Sequence, residues 1–110
     1  MNHEEIVRLI QQLEDEVNNG GFDQFFYNSA GDETAMIIQS LETVGALKMA
    51  DIVKRAAAKF PGGMPPIDRS LRQDLLLDNV SPNSDAFTEL DQEFFKYPDD
   101  LAMLLKNYAA

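Results

Sequence analysis

The chain has no cysteine, no tryptophan, a single histidine, and only nine Lys and Arg among its 110 residues. Without cysteine it has no disulfide framework, no thiolate nucleophile and no zinc–thiolate site, a composition compatible with a reducing cytoplasm. The one histidine, His3, lies two residues from a terminus. A Ser-His-acid arrangement would put its base on a segment that frays, so we expect His3 to be an exposed N-terminal residue. Long apolar runs are missing too: nothing approaches the roughly 18–20 residues that span a bilayer. The opening Met1-Asn2-His3-Glu4-Glu5 is acidic where a secretory leader would be basic, and a cytoplasmic protein is expected. Glycine pairs occur at Gly20-Gly21 and Gly62-Gly63, but without the spacing or the following Lys-Ser/Thr of a phosphate-cradling loop.

Basic side chains are scarce relative to acids. Nineteen Asp and Glu give a net charge of −10 and a pI near 4.3. Such a chain repels nucleic acid and anionic membrane, whose attraction depends on clustered Lys and Arg, so its natural partner is basic. The apolar fraction of 45% is close to the globular average and predicts a folded chain, and the length suits one domain over residues 1–110. Charge is unevenly distributed. Residues 1–42 carry −8, residues 43–72 carry +4, and residues 73–110 carry −6, so two acidic ends flank a basic middle.

Apolar spacing predicts an all-α fold, a compact bundle of about five to seven helices around a Pro/Gly-rich central loop. Ile6, Leu9, Ile10, Leu13 and Val17 share one face of a helix from about Glu4 to Asn18, which Asn19-Gly20-Gly21 should end. Phe22, Phe25, Phe26 and Tyr27 have helical spacing and predict a short second helix closing near Asn28 to Gly31. Asp32 is the expected cap of the next helix, with Glu33 in its first turn and Ile37, Ile38, Leu41 and Val44 on its stripe. Met49, Ile52, Val53, Ala56 and Phe60 form another, stopped by Pro61-Gly62-Gly63 and Pro65-Pro66. Asp68 should cap a short or irregular segment to Leu77, and Ser81-Pro82-Asn83 marks a loop. A helix from near Asp85 carries Phe87, Leu90, Phe94 and Phe95. A last one should start with Pro98 at its first position and Asp99 and Asp100 in its first turn, burying Leu101, Leu104, Leu105 and Tyr108.

Several constellations bear on chemistry. Asp85, Glu89 and Glu93 recur at four-residue spacing, about 5–6 Å apart on one helix face, which gives an alternative reading as a metal-dependent carboxylate enzyme. An EF-hand pattern fails near Asp78, where Val80 and Pro82 fall on ligand positions, and no Glu-x-x-His pair is present. A solvated acidic face is the better reading, with no metal and no cofactor expected. Phe22, Phe25 and Phe26 are expected in the core rather than in a base-stacking platform, since such platforms sit in positive grooves and Asp23 lies among them. The five methionines read as gap-fillers.

The acidic surface remains. Duplex DNA carries one negative charge per about 1.7 Å of axis, so ten net charges match roughly 17 Å of duplex and a symmetric pair of chains about 34 Å, near one helical turn. Carboxylates repeated every helical turn recur at about 5.4 Å, fine enough to imitate a row of phosphates. The expected partner-binding acids are Glu4, Glu5, Glu14, Asp15, Glu16, Asp23, Glu33, Asp85, Glu89, Glu93, Asp99 and Asp100.

The stretch Asn19-Gly20-Gly21-Phe22-Asp23-Gln24-Phe25-Phe26-Tyr27-Asn28, followed by Gly31-Asp32, resembles the signature of a bacterial domain family that includes a DNA-mimic protein. Gly45-Ala46, the Pro-rich loop before Arg69, the Leu90-Asp91-x-Glu93-Phe94-Phe95 run and the terminal Leu104 to Tyr108 look similar as well, so the resemblance covers about residues 14–110. It implies a helical fold. For the DNA-mimic member it also implies a homodimer whose carboxylates occupy the DNA-binding surface of a transcription factor. The shared aromatics and glycines look structural, so no individual mimic carboxylate is carried over by the resemblance. A non-enzymatic acidic binding protein directed at a basic DNA-binding protein is the leading expectation. A small protein-interaction or immunity-type module using an apolar patch is the alternative.

Overall fold

The computed structural model describes residues 1–109, with side chains through Tyr108. Six α-helices and no strand are present among the described residues, as the apolar spacing predicts. Helix α1 runs His3–Tyr27, α2 Thr34–Thr43, α3 Leu47–Ala57, α4 Arg69–Leu75, α5 Thr88–Phe95 and α6 Leu101–Ala109. Short 3-10 turns at Ser29–Glu33 and Pro61–Gly63 and a widened turn at Leu76–Val80 connect them. None of these helices is long and apolar enough to cross a membrane.

Helix α1 is the longest element; α2, α4, α5 and α6 pack along it, and α3 packs against α2 and α5. Asn2 caps it by accepting the Glu5 N–H at 2.8 Å, and Glu4 and Glu5 sit at the positive end of its dipole. The expected stop at Asn19 to Gly21 is a kink instead. Gly20 and Gly21 leave helical geometry, with Gly21 at φ +70° and ψ −172°, and the helix resumes at once. It resumes because Phe22, Phe25 and Phe26 have a core to enter and because Asp91 accepts the Phe22 N–H at 2.9 Å. Asp91 thereby caps the second stretch much as Asn2 caps the first.

The core is continuous from Ile6, Leu9, Ile10, Leu13 and Val17 on α1 through Ile37 and Leu41 on α2 to Ile52, Val53 and Ala56 on α3. Six phenylalanines fill its far end: Phe22 meets Phe94 edge-on with ring centroids 5.9 Å apart, and Phe26 meets Phe60 at 5.0 Å. Phe87, just before α5, is buried among them.

Several sequence expectations need correction. Asp32 does not cap α2, which starts at Thr34; the Thr34 hydroxyl donates to the Gly31 carbonyl at 2.8 Å while the Asp32 carboxylate faces Arg69 and Arg72. Helix α5 begins at Thr88 rather than near Asp85, and Phe95 is 44% exposed instead of core. Helix α6 begins at Leu101, three residues past Pro98. Tyr97 at φ +46° turns the chain, and Asp99 is drawn away to accept the Met49 N–H at 2.8 Å, in the first turn of α3. Asp100 accepts the Met103 N–H at 3.1 Å in the first turn of α6. Tyr108 is exposed, and Met49 alone of the methionines is buried. His3 is half-buried: its Nε2 lies 3.2 Å from the Leu105 carbonyl and its ring stacks on Tyr108. Asp68 does cap α4, accepting the Leu71 N–H at 2.9 Å.

Gly21 and Gly45 both hold positive φ, but a Cβ on Gly21 would run into the Asp91 carboxylate, whereas nothing lies within 4 Å of one on Gly45. Gly45→Ala should therefore cost about 1–2 kcal/mol and Gly21→Ala about 3 kcal/mol or more, as read by urea unfolding. Equal losses would mean that the approach of Asp91 carries no weight.

Candidate functional site

The glycine–aromatic stretch is held in place by one buried cation. Arg72, on α4, is fully buried. Its Nε donates to the Phe26 carbonyl at 2.7 Å; Nη1 donates to the carbonyls of Pro66 and Ile67 at 3.0 and 3.2 Å; Nη2 donates to the Asn28 carbonyl at 3.0 Å and to Asp32 at 2.6 Å. All five guanidinium N–H groups are thus satisfied, which is what makes a buried arginine tolerable. Four of the acceptors are backbone carbonyls, so the side chain ties the end of α1 to the Pro-rich loop. A Cβ on Gly31 would sit 2.8 Å from Nε of Arg72 and 2.9 Å from the Phe25 carbonyl, so only glycine admits the guanidinium there. Arg69 reaches Asp32 from the solvent side at 2.8 Å. Its hydrogen bonds, with those of Arg72 and against a smaller opposing effect of burial, hold the Asp32 carboxyl down at about 2.

The remaining residues of the glycine–aromatic stretch are structural as well. Glu16 accepts from the amides of Gln24 at 2.8 Å and Asn28 at 3.0 Å, and Asn19 donates to Gln24 at 3.0 Å. This network braces the kink across its outer side. Asp91 on α5 is half-buried, and burial pushes its carboxyl above the usual range, partly offset by the Phe22 N–H. Sequence reasoning missed Arg72 and Asp91 as organising residues. The available signal was an arginine amid the leucines of a short helix, and an acid one residue from the buried Leu90.

The predicted surface acids divide by what they touch. Glu33 is paired with Arg8 at 3.1 Å and Glu93 with Arg55 at 2.7 Å, and each cation lowers its carboxyl pKa. Glu14 accepts from the Tyr97 hydroxyl at 2.8 Å, Glu16 braces the kink, and Asp99 and Asp100 hold helix N-termini. Glu4, Glu5, Asp15, Asp23, Asp85 and Glu89 have no side-chain hydrogen bond or ion pair among the described residues. Glu4 and Asp15 lie on the outer side of α1 beside a shallow cleft of about 550 Å³ that also takes in Val7 and Gln11. Asp85 and Glu89 border a separate cleft of about 680 Å³ next to Arg55 and Lys59. The free acids therefore form patches on α1 and around the start of α5, not one uniform face. Arg8 sits within the first patch and Arg55 within the second. The basic middle of the chain is partly consumed internally, through Arg72 and through Lys54 on Glu42 at 2.6 Å.

No three His, Cys, Asp or Glu side chains among the described residues are placed to hold a metal ion together. Of the Asp85, Glu89 and Glu93 trio, Glu93 is committed to Arg55. What the site offers is fixed negative charge on helices.

These features define an all-helical acidic domain whose glycine–aromatic stretch organises the fold and whose unpaired carboxylates face outward. The chain belongs to the DMP19-like protein family, which it matches over residues 2–110, including the first turn of α1 that the sequence resemblance did not reach. No curated protein and no solved structure matches the chain.

Arg72→Met would strand four carbonyls and leave Asp32 to Arg69 alone, and should cost about 3–5 kcal/mol in chemical unfolding, against less than about 1 kcal/mol for the exposed Arg69→Met. Similar losses for both would contradict the burial argument. Because the folded pKa of Asp32 lies below its ordinary value of 3.8, its contribution is present above pH about 4 and lost as pH falls towards 2. The Asp32→Asn variant should therefore lose less stability than the wild type over that interval, by about 1 kcal/mol after allowing for solvent screening.

Proposed function

We propose that this chain is a non-enzymatic, cytoplasmic binding protein whose unpaired carboxylates imitate duplex phosphates and occupy the DNA-binding surface of a basic protein. The observation that carries this reading is the presence of Glu4, Glu5, Asp15, Asp23, Asp85 and Glu89 without an ion-pair partner among the described residues, on α1 and at and just before the start of α5, in a chain of net charge −10. Membership of a family of DNA-mimic type supports it. The molecule is 44 Å long, a span equal to roughly 13 base steps of duplex at 3.4 Å each. The mechanism is electrostatic competition: fixed carboxylates steer a basic surface into contact and replace the phosphates it would otherwise hold. Pairing of two chains would lengthen the negative row and belongs to the same reading.

Because the attraction is between charges on exposed surfaces, salt should weaken it. Capture from a nuclease-treated bacterial lysate on the immobilised wild-type chain should recover DNA-binding proteins at about 0.05 M salt and release them by about 0.5 M. The combined variant Glu4→Gln, Asp15→Asn, Asp85→Asn, Glu89→Gln should fold normally and capture them at least about tenfold less well. Recovery that ignores salt and survives these substitutions would reject phosphate imitation. It would favour the interaction-module reading, for which the structure supplies one specific observation: Ile67, just before the Asp68 cap of α4, and Leu71 within it are 79% and 52% exposed.

A further inference from the structure

The outer side of α3 differs from the rest of the surface. It carries Lys48, Lys54 and Arg55, with Lys59 in the turn just past its end, on a chain that is otherwise acidic. Lys54 and Arg55 are paired with carboxylates, but Lys48, Lys59 and the neighbouring Lys96 have none within ion-pair distance among the described residues. Between α3 and the turn after α5 lies a shallow groove of about 500 Å³. Leu47, 63% exposed, and Pro98 form its apolar walls, Ile52 lies at its base, and Lys48 and Lys96 border it. The Arg55–Glu93 pair closes one side, with Arg55 held by Asp51 at 2.9 Å and by Glu93 at 2.7 Å. That pair fixes the groove wall and leaves the two lysines as its uncommitted charges.

We infer that this groove docks a short acidic segment of a partner protein, seating an apolar side chain against Leu47 and Pro98 and its carboxylates on Lys48 and Lys96. Charge complementarity selects the occupant. Two free ammonium groups beside exposed apolar surface match a peptide that carries both an apolar side chain and a few acids. A duplex or another polyanion would meet Asp51, Glu93, Asp85 and Glu89 alongside the lysines and has no apolar side chain for Leu47. From Lys48 to Arg55, along the groove, the helix rises about 10 Å, the reach of about three residues of extended peptide. The inference is separate from phosphate imitation, since it concerns the opposite charge on different residues.

The test uses the full chain and a fluorescent eight-residue probe of Ser and Gly with two Glu flanking one central Leu, so that its acids match the two lysines. Anisotropy would report binding, and backbone amide shifts would report its place. Binding should perturb Leu47, Lys48 and Lys96, weaken about tenfold in Lys48→Glu/Lys96→Glu, and weaken by a similar factor when the probe leucine is replaced by Ser. All of these positions are exposed, and unchanged thermal unfolding of the variant would show that it folds. Absence of binding, shifts confined to other surfaces, or an affinity unaffected by the lysine substitutions would overturn the inference. So would a duplex oligonucleotide perturbing the same residues more strongly than the peptide, or self-association of the chain through Leu47 and Lys48 in sedimentation.

Discussion

The fold depends on a buried guanidinium. Arg72 is inaccessible to solvent, and its five N–H groups end on four backbone carbonyls and the Asp32 carboxylate. A charge moved out of water without such partners would cost several kcal/mol. With them, it becomes a clamp joining the end of α1, the following turn and the Pro-rich loop. The glycine at 31 and the carboxylate at 32 follow from that requirement, one by making room and the other by supplying charge.

The same logic runs outward to the surface. Much of the acidic content is employed in holding the chain: Asp91 and Asp99 cap helices remote in sequence, Glu16 braces the kink, and Asp32 completes the clamp. Only after these are set aside does the free charge become visible, as patches on α1 and around the start of α5. A net charge of −10 therefore overstates the uniformity of the surface and understates how well its free acids are held. Helices packed on a phenylalanine-rich core keep those acids in place, which separates a shaped charge pattern from a diffuse one.

Helices were legible in the sequence wherever an apolar stripe was long. Ile6 to Val17 read directly as a face of α1 and Met49 to Ala56 as a face of α3, while Phe60 at the end of that stripe lies past the helix, and all of these side chains are buried. Boundaries set by tertiary partners were not legible. Gly20-Gly21 has the chemistry of a helix end, but Asp91, seventy residues downstream of Gly21, turns it into a kink. Pro98 has the chemistry of a helix start, but Asp99 is occupied by α3 and α6 begins later. The candidate acids were legible as a set, whereas their division into free and engaged members was not. Whether Glu33 meets Arg8, or Glu93 meets Arg55, depends on which helices pack side by side, and spacing along one helix carries no record of that.

The claim on which the functional account rests is that free carboxylates stand in for phosphates on a protein that otherwise binds DNA. Its most direct measurement is an equilibrium titration of the chain into a complex of labelled duplex and a DNA-binding protein that it captures, repeated over a range of salt. The account predicts displacement of the duplex without a ternary species, with an apparent affinity that falls linearly in log-log form as salt rises. A ternary complex that retains the duplex, or binding independent of salt, would contradict it.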